Sequence, residues 1–254
     1  MLRSATTTRA LGDIRTGVVA VAAAGVLFAG CMVATSYEVA LPVYAVPVGG
    51  RMVALSFDDG PDPRWTPSVL AILRRYRARA TFFVTGENAL AHPGLLRDEV
   101  AAGDEVGDHT YSHPYLTGLG AAAVQQQIQE AAVAIQQAGA PRPTLFRPPY
   151  GLLDRTVERA AQADNLRLIL WSVCVERFVD HGPSRAEVAR ILSRVRPGAI
   201  ILAHDGGIPD RRRTLAALPL LLSGLERRGY RIVTVGRLLA SSRTLAPWRS
   251  TRRS

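Results

Sequence analysis

Between Arg51 and Ala240 short apolar runs alternate with longer stretches whose apolar positions recur every three or four residues. The runs are Met52 to Phe57, Ala80 to Val84, Glu105 to Val106, Thr144 to Phe146, Leu168 to Val173, Ala199 to Ala203 and Tyr230 to Val233. Each predicts a strand. The stretches between them predict helices. Thr66 and Pro67 supply an N-cap and a first-turn proline ahead of Val69, Leu70, Ile72 and Leu73. Further helices are expected near Pro93 to Ala102, over the glutamine-rich Ala121 to Ala138, from Asp154, from Ser184, and near Arg213 to Arg228. Val124, Ile128, Ala132 and Ile135 give the glutamine-rich helix one apolar face. Strand and helix in alternation predict an α/β fold with parallel strands, either a barrel or a doubly wound sheet.

Such folds bind ligands at the carboxyl ends of their strands, and the polar clusters of this chain sit there. Asp58 and Asp59 follow the first strand, His109 and His113 the third, Arg147 the fourth, and His204 with Asp205 the sixth.

The ends read differently. Residues 1–16 are a basic N-terminal segment. Within residues 17–35, an uncharged run from Gly17 to Ala34 resembles a secretory signal peptide or a single membrane anchor. Arginines before the run and few after it predict export of the remainder, either anchored in the membrane and facing outside or secreted. Phe28-Ala29-Gly30-Cys31 resembles a bacterial lipobox, so the leader is cleaved, retained or lipidated at Cys31. Residues 36–50 mix proline, glycine and small apolar residues without helical period and read as a linker. The folded domain is expected over 51–240, with 241–254 expected to form a basic, disordered tail.

Composition narrows the function classes. With 48% hydrophobic and 20% charged residues in 254, wholesale disorder and a polytopic membrane protein are both excluded. Two cysteines, Cys31 and Cys174, make neither a disulfide framework nor a thiolate metal cage. The net charge of +10 is mostly peripheral, since the first 15 residues carry +2 and the last 14 carry +4. The body has no basic stripe interleaved with aromatics; Arg211, Arg212 and Arg213 form a local cluster that reads as solvated charge. No nucleic-acid partner is expected.

Adjacent Asp58 and Asp59 in SFDDGP fit a cation site, and equally an ordinary surface turn shaped by Gly60 and Pro61. His109 and His113 in HTYSH are four apart, so one helical turn puts both imidazoles on one side, where they share a metal or serve structure alone. One carboxylate added to two histidines makes a set that holds a divalent ion and leaves positions open for water and substrate.

These strings, followed in order by RPPYG at 147–151 and ILAHDG at 201–206, resemble the polysaccharide deacetylases of the NodB-homology type, carbohydrate esterase family 4, over about residues 50–240. The resemblance implies a distorted (β/α) barrel with fewer than eight complete units, and a hydrolase acting on carbon–nitrogen bonds. It implies Asp59, His109 and His113 as metal ligands, Asp58 as catalytic base, Arg147 as the residue that orients that base, His204 as acid, and the backbone amide of Tyr150 as oxyanion donor. Zinc suits two histidines and a carboxylate, with cobalt, nickel or manganese as alternatives. The expected substrate is an N-acetylated extracellular or cell-wall amino-sugar polymer, chitin-like or peptidoglycan glycan.

One motif departs from the family. Where Asp-x-x-Asp-Trp is usual, this chain has Cys174-Val175-Glu176-Arg177-Phe178. Phe178 is expected to wall the metal side as the tryptophan does, Glu176 or Asp180 to replace the carboxylate that tunes His204, Cys174 to be a small core residue, and Arg177 to depress His204 if it points inward. A weakened His204 would favour O-acetyl esters, which need less protonation of the leaving group. A catalytically silent carbohydrate-binding protein on the same barrel is the alternative of another class.

Overall fold

Strand β1 (Met52–Asp58) lies at the centre of a parallel sheet with β2 (Thr81–Val84), β3 (Glu105–Asp108), β4 (Leu145–Phe146), β5 (Arg167–Leu168), β6 (Val173–Cys174), β7 (Ile200–His204) and β8 (Arg231–Val233). The order is β5-β4-β3-β2-β1-β7-β6, with β8 paired to β1. Met52 to Ala54 pair with β8 and Ser56 to Asp58 with β2, so these two strands share one edge of β1 while β7 takes the other. The computed structural model describes residues 41–179, 184–207 and 210–242; the apolar run 17–34 and the tail from 243 lie outside them. No helix among the described residues is long and apolar enough to cross a membrane.

The run Leu168 to Val173, expected as one strand, is divided. Its first half, β5, pairs with β4 and its second half, β6, pairs with β7. One extended stretch without an intervening helix thus joins both ends of the sheet. The result is the expected distorted barrel with an incomplete set of β/α units.

The helices are α1 (Thr66–Arg75), α2 (Gly86–Ala91), α3 (Pro93–Ala102), α4 (Ala121–Gln137), α5 (Arg155–Ala163), α6 (Glu176–Val179), α7 (Arg185–Arg194), α8 (Arg212–Arg227) and α9 (Val235–Ser242). Asp154 caps α5 by accepting the Thr156 and Val157 N–H groups, and Ser184 forms a reciprocal capping box with Glu187 at α7. Thr66 does not cap α1. The helix already includes it, and its hydroxyl accepts the Asp62 N–H and donates to Asp205.

Period-two alternation sorts the strand residues. Val53, Leu55, Phe57, Phe82, Val84, Ile201 and Ala203 face outward and pack with Val69, Leu73, Leu96, Ile191, Leu218 and Leu221 of the helices. Burial of each of these side chains other than Ala203 contributes about 1.5–3 kcal/mol. The intervening Ala54, Phe83, Leu145, Ile169 and Ile200 form a separate interior cluster. Gly107 makes room there, because a Cβ at that position would stand 2.6 Å from the Phe83 ring.

The foot of the barrel is closed by polar groups. Thr81 donates its hydroxyl to Glu105, whose Oε2 also accepts the Gly236 N–H, and the Val235 N–H donates to Thr81 Oγ1. Helix α9, not foreseen from the sequence, is thereby seated across the base. The expected linker 36–50 is partly built into the fold. Val43 N–H donates to the Leu168 carbonyl, Leu170 N–H to that of Val43, and Val46 N–H to that of Gly198, with Val46 only 4% exposed. The segment has too few alternating positions to read as a strand, and Pro42 and Pro47 bracket it. Leu41 and Ser242 line the same hollow at this foot, beside Arg167 and Leu239.

Candidate active site

The strand alternation that aims Ala54 and Phe83 inward also aims Asp58, His109, Arg147, Trp171, Cys174 and His204 inward at the opposite end. All of these except Arg147 line a cleft of about 630 Å³, together with Asp59, Asn88, His113, Tyr150 and Arg211. Arg147 lies beneath it, wholly buried.

A buried guanidinium needs a partner and hydrogen bonds to every side. Arg147 Nη1 donates to Asp58 Oδ1 at 2.5 Å, while Nε and Nη2 donate to the Ile169 and Leu170 carbonyls at 3.3 Å each. The Phe83 ring covers its plane at 4.0 Å. Asp58, 3% exposed, is thus oriented with Oδ2 toward the cleft, 3.8 Å from His109 Nε2.

Asp59, His109 and His113 converge. Asp59 Oδ1 is 3.5 Å from His109 Nε2 and 3.3 Å from His113 Nε2. This oxygen is buried and has no hydrogen-bond partner. His109 Nδ1 lies 2.7 Å from the Arg147 carbonyl oxygen, which can only accept, so the neutral ring keeps its proton there and turns the Nε2 lone pair to the cleft. An orphaned carboxylate oxygen between two imidazole nitrogens fits a divalent cation, and these ligand atoms all lie within 4.8 Å of one another. Burial alone would raise Asp59, but His109, with His204 and His113, holds it below the ordinary carboxylate range. Burial and the neighbouring His109 lower His113.

The imidazole pair does not meet through a helical turn. Residues 109–114 are irregular, and Thr110 (φ 69°) and His113 (φ 58°) take left-handed conformations. The Thr110 N–H donates to Asp108 and the His113 N–H to Thr110 Oγ1, which bends the loop so that both rings face Asp59. Asp59 (φ 74°) and Tyr150 (φ 60°) are left-handed too. Such backbone costs about 1–3 kcal/mol per residue and persists only where its surroundings enforce it.

His204 stands across the cleft. Its Nδ1 is 3.3 Å from Glu176 Oε2, and Glu176 Oε1 accepts both the His204 N–H and the Thr214 hydroxyl at 3.0 Å. Burial pulls His204 down, and the Glu176 carboxylate, with Asp58 and Asp59, more than reverses this and raises it. Of the two candidate carboxylates, Glu176 is the one the structure sets against His204. Asp180 lies outside the described residues. Arg177 is exposed and does not press on the imidazole. Cys174 is half-buried on the cleft wall, its thiol 3.6 Å from Glu176, and burial with that carboxylate pushes it up to about 11.

Phe178 does not wall the metal side. It sits on α6 against the helix layer, under the guanidinium groups of Arg190 and Arg194, because the turn after Val175 rotates it outward. Trp171 is the aromatic in the cleft. Tyr150 is half-exposed at the rim, its ring stacked on Tyr115 at 4.0 Å and edge-on to His113 at 4.7 Å.

Sequence reasoning missed three supports. Asn88 donates to the Asp59 carbonyl, Thr214 to Glu176, and Arg211 to Asp59 Oδ2. Arg211, read as solvated charge, is 7% exposed. Only its place seven residues after His204 hinted at the site.

A family model described as Polysaccharide deacetylase matches residues 45–169. The chain is 35% identical over 206 residues to the peptidoglycan-N-acetylglucosamine deacetylase of Bacillus cereus, covering 77% of this chain and 92% of that protein. It is 40% identical over 193 residues to the chitooligosaccharide deacetylase of Sinorhizobium fredii, covering 72% and 89%. Among solved structures it is similar to a pseudoenzyme of carbohydrate esterase family 4 from Bacillus anthracis, with a TM-score of 0.73, 26% identity, and coverage of 80% of this chain and 70% of that one. On sequence, fold and the order of its motifs, the chain belongs to the polysaccharide deacetylase family.

Proposed function

We propose that this protein removes N-acetyl groups from an amino-sugar polymer, peptidoglycan glycan or chitin-like, in a metal-dependent hydrolysis. The observation that carries this reading is the orphaned Asp59 Oδ1 between His109 and His113, beside an aspartate already fastened to Arg147. Asp59, His109 and His113 would hold the ion, zinc by donor set, with cobalt, nickel or manganese able to replace it. When bound, it would supply Lewis acidity to the acetamido carbonyl and to water.

The chain's own groups do the rest. Asp58, with Oδ2 turned to the cleft and Oδ1 held by Arg147, takes the proton from water as it attacks. Tyr150 stands at the rim of the cleft, and its backbone N–H would meet the developing oxyanion. His204 returns a proton to the sugar nitrogen, which leaves poorly as an amide anion, and Glu176 keeps that imidazole protonated. The two named relatives above act on amino-sugar glycans, which supports the substrate class. The uncharged run 17–34 behind a basic segment supports export, anchored or secreted.

Acetate released from N-acetylglucosamine oligomers is the test. Chelator is expected to abolish release, and Asp58→Asn to cut kcat by about 100-fold or more. An Asp58→Asn protein with full activity would remove Asp58 from its role. The pseudoenzyme among the structural neighbours favours one second reading, a silent glycan-binding protein. Stoichiometric metal and glycan binding without turnover, on amides or acetyl esters, would select it.

A further inference from the structure

We propose that Arg211 is a positioning residue that makes Asp59 present a single oxygen, Oδ1, to the metal ion; this rests on the metal-dependent reading above. Asp59 is held at both of its other oxygens. Its carbonyl accepts from Asn88 Nδ2 at 2.8 Å, and its Oδ2 accepts from Arg211 Nη2 at 3.3 Å. Arg211 is itself fixed, because Nε donates to the Gly206 carbonyl at 2.8 Å. A planar fork with one arm on the backbone and the other on the carboxylate sets direction as well as charge.

The backbone of two glycines also crowds Asp59 on this side. A Cβ on Gly206 would stand 2.1 Å from the Asp59 carbonyl oxygen, and one on Gly207 would stand 2.6 Å from Oδ2. Gly206 and Gly207 are therefore packed directly against Asp59, at its carbonyl and at Oδ2 rather than at the Oδ1 that faces the imidazoles. With Oδ2 engaged, Oδ1 is the carboxylate oxygen left without a partner, and two-oxygen chelation by Asp59 would compete with the Arg211 bond. The ion would then keep open positions for water and for a substrate carbonyl, which a chelating carboxylate would fill. An arginine that served only to neutralise charge would need neither the second bond to Gly206 nor the glycine pair.

The test is metal binding by the full chain after removal of metal with chelator, using Zn²⁺ and Co²⁺ as probes on wild type, Arg211→Gln, Arg211→Lys and His113→Ala. Arg211→Gln is expected to raise the Kd for Zn²⁺ by about 10–100-fold. It should also change the intensity of the Co²⁺ visible absorption, which reports coordination number. Arg211→Lys, with charge but no fork, should fall between. Should Arg211→Gln fail to fold by circular dichroism, Arg211→Lys decides alone. Wild-type Kd and an unchanged Co²⁺ spectrum in the folded variants would overturn the role of Arg211 while leaving the site intact. Wild-type protein that takes up no ion, or His113→Ala that binds as wild type, would instead sink the metal reading, and this inference with it.

Discussion

The two halves of the candidate chemistry are prepared by different residues. Asp58 is fastened by Arg147 from inside the barrel, whereas His204 is adjusted by Glu176 from the rim. Glu176 has a measurable consequence. It raises His204, so a proton stays on that ring to higher pH than on an ordinary imidazole, as the proposed role of His204 as acid needs. In Glu176→Gln the alkaline limb of the kcat profile is expected to move to lower pH, while Glu176→Asp keeps part of the difference. A pH–rate series on the three proteins measures it, and coincident limbs would show that Glu176 serves only to bond the His204 and Thr214 groups. Glu176 was legible as one of two candidate carboxylates because only it and Asp180 lie near the altered motif. Arg211 was not legible, since its burial depends on contacts with Gly206 and the distant Asp59 rather than on any local pattern.

At the scale of elements, the alternation of inward and outward residues does most of the positioning. The apolar runs were readable as strands because their outward residues, Val53, Leu55 and Phe57 among them, must meet helices. The division of the stretch 167–174 between two partners was not readable, because hydropathy reports burial and not which neighbour receives the hydrogen bonds. The motifs SFDDGP and HTYSH named residues that the structure brings together, Asp59, His109 and His113, but the loop geometry differs. Left-handed backbone at Thr110 and His113 replaces the helical turn, since their local hydrogen bonds outweigh helix propensity. Gly107 on β3 tests the packing beneath the site. A methyl there collides with Phe83, the ring under Arg147. Gly107→Ala is expected to cost about 1–3 kcal/mol in thermal or denaturant unfolding. Unfolding at the wild-type midpoint would mean that Phe83 moves freely and does not brace the guanidinium.

Across the whole molecule, buried acids shape the pH response. Glu99 on α3 is fully buried with both carboxylate oxygens unpaired, and burial, with Asp205, Asp104 and Asp98 nearby, pushes it well above the ordinary range. Burial likewise pushes Asp205 up to about 7 and Asp108 up to about 8. A raised acid binds its proton more tightly when folded. Its contribution is full below the unfolded value near 4 and is lost as pH rises toward the folded one. Stability of the metal-free protein is therefore expected to fall between about pH 4 and pH 8. Glutamine mimics the protonated acid, so Glu99→Gln should melt like wild type at pH 5 and about 2–4 °C higher at pH 8. Equal melting at both values would show that Glu99 is solvated after all. The hollow shared by Leu41 and Ser242 has a practical reading. Leu41 and Ser242, the outermost described residues, stand together at the pole opposite the candidate site, so a label or crosslink placed at Ser242 would sit away from the cleft.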